Sequence, residues 1–286
     1  MNVRFPIAFL LPLVCLAGCT TSTTPATQTT ASSTSITGNW QIQSGTAITS
    51  PPTAPYLVGA LEGSYSALTG TFSWAEGSSS SPAVESYSGT YNASTSSLTL
   101  NSTAALPANQ ITTTLSVPAI PTNLSTGTLK DACGLCSNGF LASVVAVQVA
   151  PLNGTYTGTL SGTLYTDYQT TNISGTVSLV LTQSTTPNSS GQFPLTGTVT
   201  FPSVSGAGTA TLPGLVSGIT LELSDEPCTL PPFGYAVCNV IGPGSTLRAY
   251  TNPTATQITV TGLSNINESN ENSVDTSLSG TLTLQQ

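Results

Sequence analysis

The thiols and carboxylates are the side chains of this sequence whose chemistry goes beyond packing. Six cysteines occur in 286 residues: Cys15, Cys19, Cys133, Cys136, Cys228 and Cys238. "CGLC" at Cys133 to Cys136 has the spacing of a redox motif. A thioredoxin-type site also needs its first cysteine at a helix N-terminus beside a βαβ unit, which lowers the thiol pKa. Here Leu141 to Val149 follows and reads as a strand. In an exported chain, four thiols left after a leader favour disulfides, with three connectivities open. Cys228–Cys238 and Cys133–Cys136 are the simplest assignment, each pinning a local loop. An all-cysteine zinc site is the other use of four thiols. There is no histidine. That removes the commonest general base and metal ligand, and with them a Ser-His-Asp or Cys-His nucleophile.

Eleven carboxylates are scattered: Glu62, Glu76, Glu85, Asp131, Asp167, Glu222, Asp225, Glu226, Glu268, Glu271 and Asp275. A glycosidase needs two carboxyls across a cleft, and an aspartic protease needs two aspartates sharing a proton. Neither Asp-Thr-Gly nor Asp-Ser-Gly is present. Asp225 and Glu226 are adjacent and would point apart in an extended loop. "NINESNENSVD", from Asn265 to Asp275, is oxygen-rich but lacks the glycine and spacing of an EF-hand loop. No phosphate loop, dinucleotide fingerprint or metalloprotease helix occurs. The expectation is a protein without catalytic residues, metal or cofactor. One loop stands out for binding. "TLPPFGYAVC" lies between Cys228 and Cys238, and its Phe233 and Tyr235 either stack on a sugar or partner or fold back over a barrel end.

Charge narrows the partners further. Only 5% of residues are charged and the formal net charge is -8, against about a quarter charged in typical globular domains. Beyond Arg4 the only cations are Lys130 and Arg248. Phosphate neutralisation needs clustered Lys/Arg, so nucleic acid is excluded as a partner, and so is a basic membrane-surface patch.

The leader says how these groups are displayed. Arg4 precedes an almost wholly apolar run, Phe5 to Leu16, broken by Pro6 and Pro12. It is shorter than the ~20 apolar residues of a spanning helix and reads as a secretory signal over residues 1–18. Leu16-Ala17-Gly18-Cys19 resembles the lipobox of bacterial lipoproteins. That resemblance implies a diacylglycerol on the Cys19 thiol, cleavage before Cys19 and acylation of the new amino group. Two or more acyl chains hold a protein stably on a membrane. Thr20, not aspartate, follows, which by the same resemblance allows outer-membrane sorting in a two-membrane cell. Residues 19–35 are then a lipidated cysteine and a Ser/Thr-rich tether too polar to fold.

About 250 residues remain, enough for one large β domain or two small ones. Their periodicity is two: Leu98 and Leu100; Val177, Leu179 and Leu181; Ile219, Leu221 and Leu223; Ile258 and Val260; Leu282 and Leu284. Such alternation gives one apolar face and one wet Thr/Ser face, the signature of antiparallel sheet. No amphipathic helix is evident after the leader. A phrase Gly-Thr-aromatic or Gly-Thr-aliphatic recurs, as in "LTGTFSW", "YSGTYN", "LTGTVTF" and "LSGTLTL". In it the threonine faces water and the next residue enters the core.

The fold expectation is therefore all-β: an antiparallel meander, barrel- or sandwich-like. It consists either of two related units, 36–150 and 151–286, or of one domain over 36–286. The halves share Gly38-Asn39-Trp40 with Gly154-Thr155-Tyr156, and "ALTGTF" with "PLTGTV". Each half allows roughly eight short strands, a number that closes a small barrel. Each also carries a cysteine-bearing loop. "ITGNWQIQSG" from Ile36 and "SALTGTF" from Ser66 resemble the first strands of avidin-type barrels, and Gly38-x-Trp40 resembles the lipocalin first strand. Those families place the tryptophan at the barrel base or against a ligand, whereas a core position is the plainer use of Trp40. Together these readings point to a lipid-anchored envelope protein without catalytic activity. It would bind a small apolar ligand, a glycan or an envelope partner, or serve as a structural surface lipoprotein. A two-carboxylate hydrolase is the remaining alternative.

Overall fold

The computed structural model describes residues 35–52, 56–75, 83–95, 97–103, 109–116, 125–133, 140–166, 169–200, 209–224, 245–265, 267–269 and 272–286. All the regular structure among them is β-strand. The first half holds β1 (Gly38–Ser44), β2 (Tyr56–Ser64), β3 (Ala67–Ala75), β4 (Ala83–Asn92), β5 (Ser97–Ser102), β6 (Asn109–Ser116), β7 (Ser125–Cys133) and β8 (Phe140–Val149). The second holds β9 (Gly154–Thr166), β10 (Gln169–Gln183), β11 (Phe193–Thr200), β12 (Thr209–Ser217), β13 (Thr220–Ser224), β14 (Ser245–Thr251), β15 (Gln257–Asn265), β16 (Asn267–Ser269) and β17 (Asn272–Leu284).

Strands β1 to β8 form a closed antiparallel barrel, each strand paired with the next in sequence and β1 with β8. The other nine form one sheet. It curls until β17 pairs with β9 on one side and with β15 on the other. The pairing circuit β9 through β15, then β17, is thus also eight strands around. β16 lies outside it, paired only with the start of β17.

The two circuits share one register. Trp40, Gly59 and Phe72 lie opposite one another across β1, β2 and β3. Tyr156, Leu179 and Val199 do so across β9, β10 and β11. Leu68, Gly89 and Leu100 continue the first circuit as Leu195, Gly214 and Leu223 continue the second. Leu98, Leu115, Gly127 and Val144 then match Leu221, Ala249, Val260 and Gly280. The first circuit closes with Gln148 opposite Trp40 and the second with Leu284 opposite Tyr156. Close backbone approach recurs at matched places. A Cβ on Gly89 would lie 2.0 Å from the Thr99 carbonyl, and one on Gly214 2.1 Å from that of Glu222. The halves are therefore one strand plan used twice, with local irregularities at Arg248/Ala249 and at Val260/Leu263.

The cysteine loops break this correspondence. Cys133 ends β7, and "CGLC" runs on toward β8, its antiparallel neighbour. Among the described residues, the strands that flank this motif are antiparallel neighbours, not the parallel pair of a βαβ unit. Cys228 and Cys238 fall between β13 and β14, which match β5 and β6 rather than β7 and β8.

Alternation along the strands packs the described part of both interiors. β11 alternates buried and less buried residues throughout, with Leu195, Gly197 and Val199 inside and Thr196 exposed. The first interior packs Trp40, Ile42, Leu57, Leu61, Phe72, Tyr87 and Tyr91, with Phe72 and Tyr87 edge to face at 5.5 Å. The second packs Leu152, Tyr156, Leu160, Leu179, Leu223 and Leu247, all inaccessible to solvent. Each fully buried aliphatic of this size contributes about 1.5–3 kcal/mol.

Candidate functional site

Trp40 belongs to the first core. It is 1% exposed, and its Nε1 donates to the Ile36 carbonyl at 2.7 Å. Its counterpart Tyr156 donates its hydroxyl to the Ala255 carbonyl at 2.7 Å, and burial pushes its pKa up to about 12. Cys19, Cys136, Cys228, Cys238, Phe233 and Tyr235 lie outside the described residues, as does the side chain of Cys133.

The three carboxylates whose side chains are described, Glu62, Glu85 and Glu222, do not converge. Glu62 pairs with Thr69 and Glu85 with Phe72, which places Glu62 on the outer face of the barrel and Glu85 on the inner. Glu85 accepts the Tyr87 hydroxyl at 2.9 Å. Glu222 stands on β13 of the other circuit, where its Oε1 lies 3.5 Å from Arg248 Nε. Among the described residues, no three His, Cys, Asp or Glu side chains gather as a metal site.

Glu222 is 3% exposed. Burial raises its carboxyl pKa by more than Arg248 lowers it. The folded chain thus holds a proton that the unfolded chain releases. The stability this gives is full below the unfolded pKa and is lost as pH rises through the raised folded value. Glu222→Gln keeps an acceptor for Arg248 and should abolish that decline. Its thermal midpoint should exceed that of the wild type more at about pH 8 than at about pH 4, near the ordinary glutamate pKa. Parallel melting curves for the two proteins across that range would contradict the assignment.

The polar chemistry that does converge is made of amides. Outward residues of β1 would be expected to meet water, yet Asn39, Gln41 and Gln43 are at most 3% exposed. The β12–β13 hairpin of the second sheet covers Asn39 and Gln41, while Gln43 bonds to Gln41 and Thr49. Asn39 Nδ2 donates to the Gly218 carbonyl at 2.8 Å, and Gly218 N donates back to Asn39 Oδ1 at 2.7 Å. Ile219 N donates to Gln41 Oε1 at 2.9 Å. Ile219 packs with Val147 and Val149 of β8.

Beside this junction a cleft of ≈ 410 Å³ opens between the sheets. Thr37, Glu62 and Gln148 line one wall, and Asn153, Gln183 and Phe193 the other. Its amides are held by the backbone. Gln183 Oε1 accepts from Leu152 N at 2.9 Å, and Asn153 Oδ1 accepts from Gln183 N at 3.0 Å. Gln148 Nε2 donates to the Thr37 carbonyl, while its Oε1 is buried with no donor. A shallower depression of ≈ 530 Å³ shares Thr37 and Gly63 with the cleft and continues to Ser64, Tyr65 and Ser66. Tyr65 is 38% exposed and makes a T-shaped ring contact with Tyr91 at 5.0 Å.

Sequence reasoning missed this groove because its walls come from four distant segments. The one signal was compositional: β1 carries Asn and Gln at its outward positions, where β11 carries Thr196, Thr198 and Thr200. No protein-family model matches the chain, and no curated protein sequence matches it either.

Proposed function

We propose that this chain is a lipid-anchored cell-envelope protein, a non-enzymatic interaction module that takes a glycan or an envelope partner on its outer surface. The close packing of the described interior side chains in both strand circuits carries the reading. Ligand pockets of the lipocalin kind are concave spaces of about 300–1,000 Å³. Here Trp40, Phe72, Tyr87 and Tyr91 occupy the first interior, and Tyr156, Leu160 and Leu179 the second. A small apolar ligand therefore gains little support as the cargo of these interiors, and recognition falls to the outside. A hydrolytic role has the least support: of the described carboxylates, Glu62 and Glu85 face opposite sides of one sheet and Glu222 is engaged with Arg248.

A purely structural surface role is the second reading. Its support is the wet face of β11 and β12, where Thr198 with Thr211 and Thr200 with Thr209 form exposed hydroxyl pairs at 3.2 Å.

Attachment rests on Cys19 and the lipobox before it, with the outer membrane as destination in a two-membrane cell. Metabolic labelling with a fatty-acid analogue should mark the wild type and leave Cys19→Ala unmarked and released from membranes. Equal labelling of the two would remove the anchor. In-cell cross-linking of the anchored protein should then capture an envelope glycan or protein, and an uncross-linked chain would favour the purely structural role.

A further inference from the structure

We propose that the groove running from Gln183 to Tyr65 is a binding site for a neutral oligosaccharide. This deepens the interaction-module reading and rests on it.

The cleft end is built to bind hydroxyls. Gln183 is 8% exposed, and its orientation is fixed because its Oε1 holds Leu152 N. Its Nε2 has no partner among the described residues, so a donor on a rigid, mostly buried amide is left for a ligand. Asn153, exposed beside it, has its Oδ1 occupied by Gln183 N and its Nδ2 without a partner among the described residues. Glu62, exposed on the facing wall, adds an acceptor. Amide donors set against a carboxylate suit vicinal hydroxyls, each of which both donates and accepts.

The charge pattern selects the class of sugar. Among the described residues that line the groove, Glu62 is the only ionic group and no cation is present. An acidic glycan or a phosphate would meet like charge with no cation to offset it. A neutral polyol meets none of that cost.

The open end supplies the apolar contact. Tyr65 sits at the β2–β3 turn beside Ser64 and Ser66. Its backbone carbonyl accepts from Tyr91 N at 2.7 Å, and its ring rests on Tyr91. The exposed part of the Tyr65 ring can take the C–H side of a pyranose. Cleft and depression share Thr37 and Gly63, so one extended ligand can span both. That favours an oligosaccharide over a single sugar.

The test uses the full lipidated chain in a detergent that contains no sugar. Cellohexaose, maltohexaose and chitohexaose are titrated by calorimetry, with hexagalacturonate as the anionic counterpart. At least one neutral hexasaccharide should bind saturably and the anion at least about tenfold more weakly, where tenfold is about 1.4 kcal/mol. Tyr65→Ala should weaken binding about tenfold and Tyr65→Phe should preserve it. Gln183→Glu keeps the acceptor for Leu152 N, removes the donor, and should also weaken binding about tenfold. Tyr65 lies in an exposed turn, so its variants read the site even if Gln183→Glu folds poorly. Saturable binding that neither Tyr65→Ala nor a folded Gln183→Glu weakens overturns the site but leaves a glycan-binding module. Tighter binding of the anion, or no neutral binding up to about 1 mM, overturns the proposal. The broader module reading is judged separately by the cross-linking above.

Discussion

Trp40→Ala is expected to destabilise the chain by about 3–5 kcal/mol, the usual cost of truncating a buried tryptophan to alanine. Stabilities of single domains are typically about 5–15 kcal/mol, so the variant should be visibly compromised. Three losses combine. The indole leaves a void among Ile36, Ile42, Leu57 and Phe72. The Ile36 carbonyl loses its donor. Finally, β1 is the strand that closes the barrel against β8 and also presents Asn39 and Gln41 to the second sheet, so looseness there reaches both. Trp40→Phe retains most of the volume and should cost clearly less. The shared register adds an expectation: Tyr156→Ala, at the matching position, should cost a similar amount, because Tyr156 is likewise buried and bonded to a backbone carbonyl. Urea titrations of the three variants measure all of this. A Trp40→Ala cost below about 1 kcal/mol would mean that the indole is not packed as these contacts require.

That matched pair also shows what sequence can reveal. Gly-x-aromatic at Gly38 and Gly154, and Leu-Thr-Gly-Thr at Leu68 and Leu195, fall at equivalent ladder positions. They were legible because strand chemistry is local. Period two sets the faces, glycine permits close backbone approach, and threonine tolerates water. Strand identity and the two-fold plan follow from such features. Closure does not, since the partner of β1 lies a hundred residues away in β8, and no pattern within β1 names it. The outer face of β1 was misleading for the same reason. Polar alternation normally marks solvent, yet Asn39 and Gln41 are covered by a hairpin from the other half. The cysteine loops, one in each half, stand at unequal places in the strand order, because loop insertions are free of the register that constrains strands. The groove was invisible in the sequence because Thr37, Glu62, Gln148 and Gln183 become neighbours only after both circuits have closed.

Gly218→Val should strike the junction itself. Ser217 pairs with Thr220, so Gly218 and Ile219 form a two-residue hairpin loop in which only Gly218 has positive φ, at 56°. Glycine is the usual residue at that place in such a turn. A side chain there costs about 1–2 kcal/mol in backbone conformation. Its Cβ would also lie 2.5 Å from Gln41 Oε1 and 2.6 Å from Val58 Cγ1. Gln41 cannot withdraw without releasing Ile219 N, and an unpaired buried donor costs about 1–3 kcal/mol. The combined loss should reach about 3 kcal/mol, concentrated where the two sheets meet and not within either core. Each circuit keeps its own filled interior, so the expected signature is a melt that splits into two transitions where the wild type shows one. Gly262→Ala, with open space around the added carbon, is the matching control and should melt as the wild type does. The junction also sets the width of the groove, since Asn39 belongs to the junction and the cleft wall alike. A split melt that left oligosaccharide binding intact would show that the groove does not depend on how the two sheets are docked. A single, unshifted transition would show that the hairpin tip bears no load, and the pairing of Asn39 and Gln41 with Gly218 and Ile219 would then have to be abandoned as the element that joins the halves.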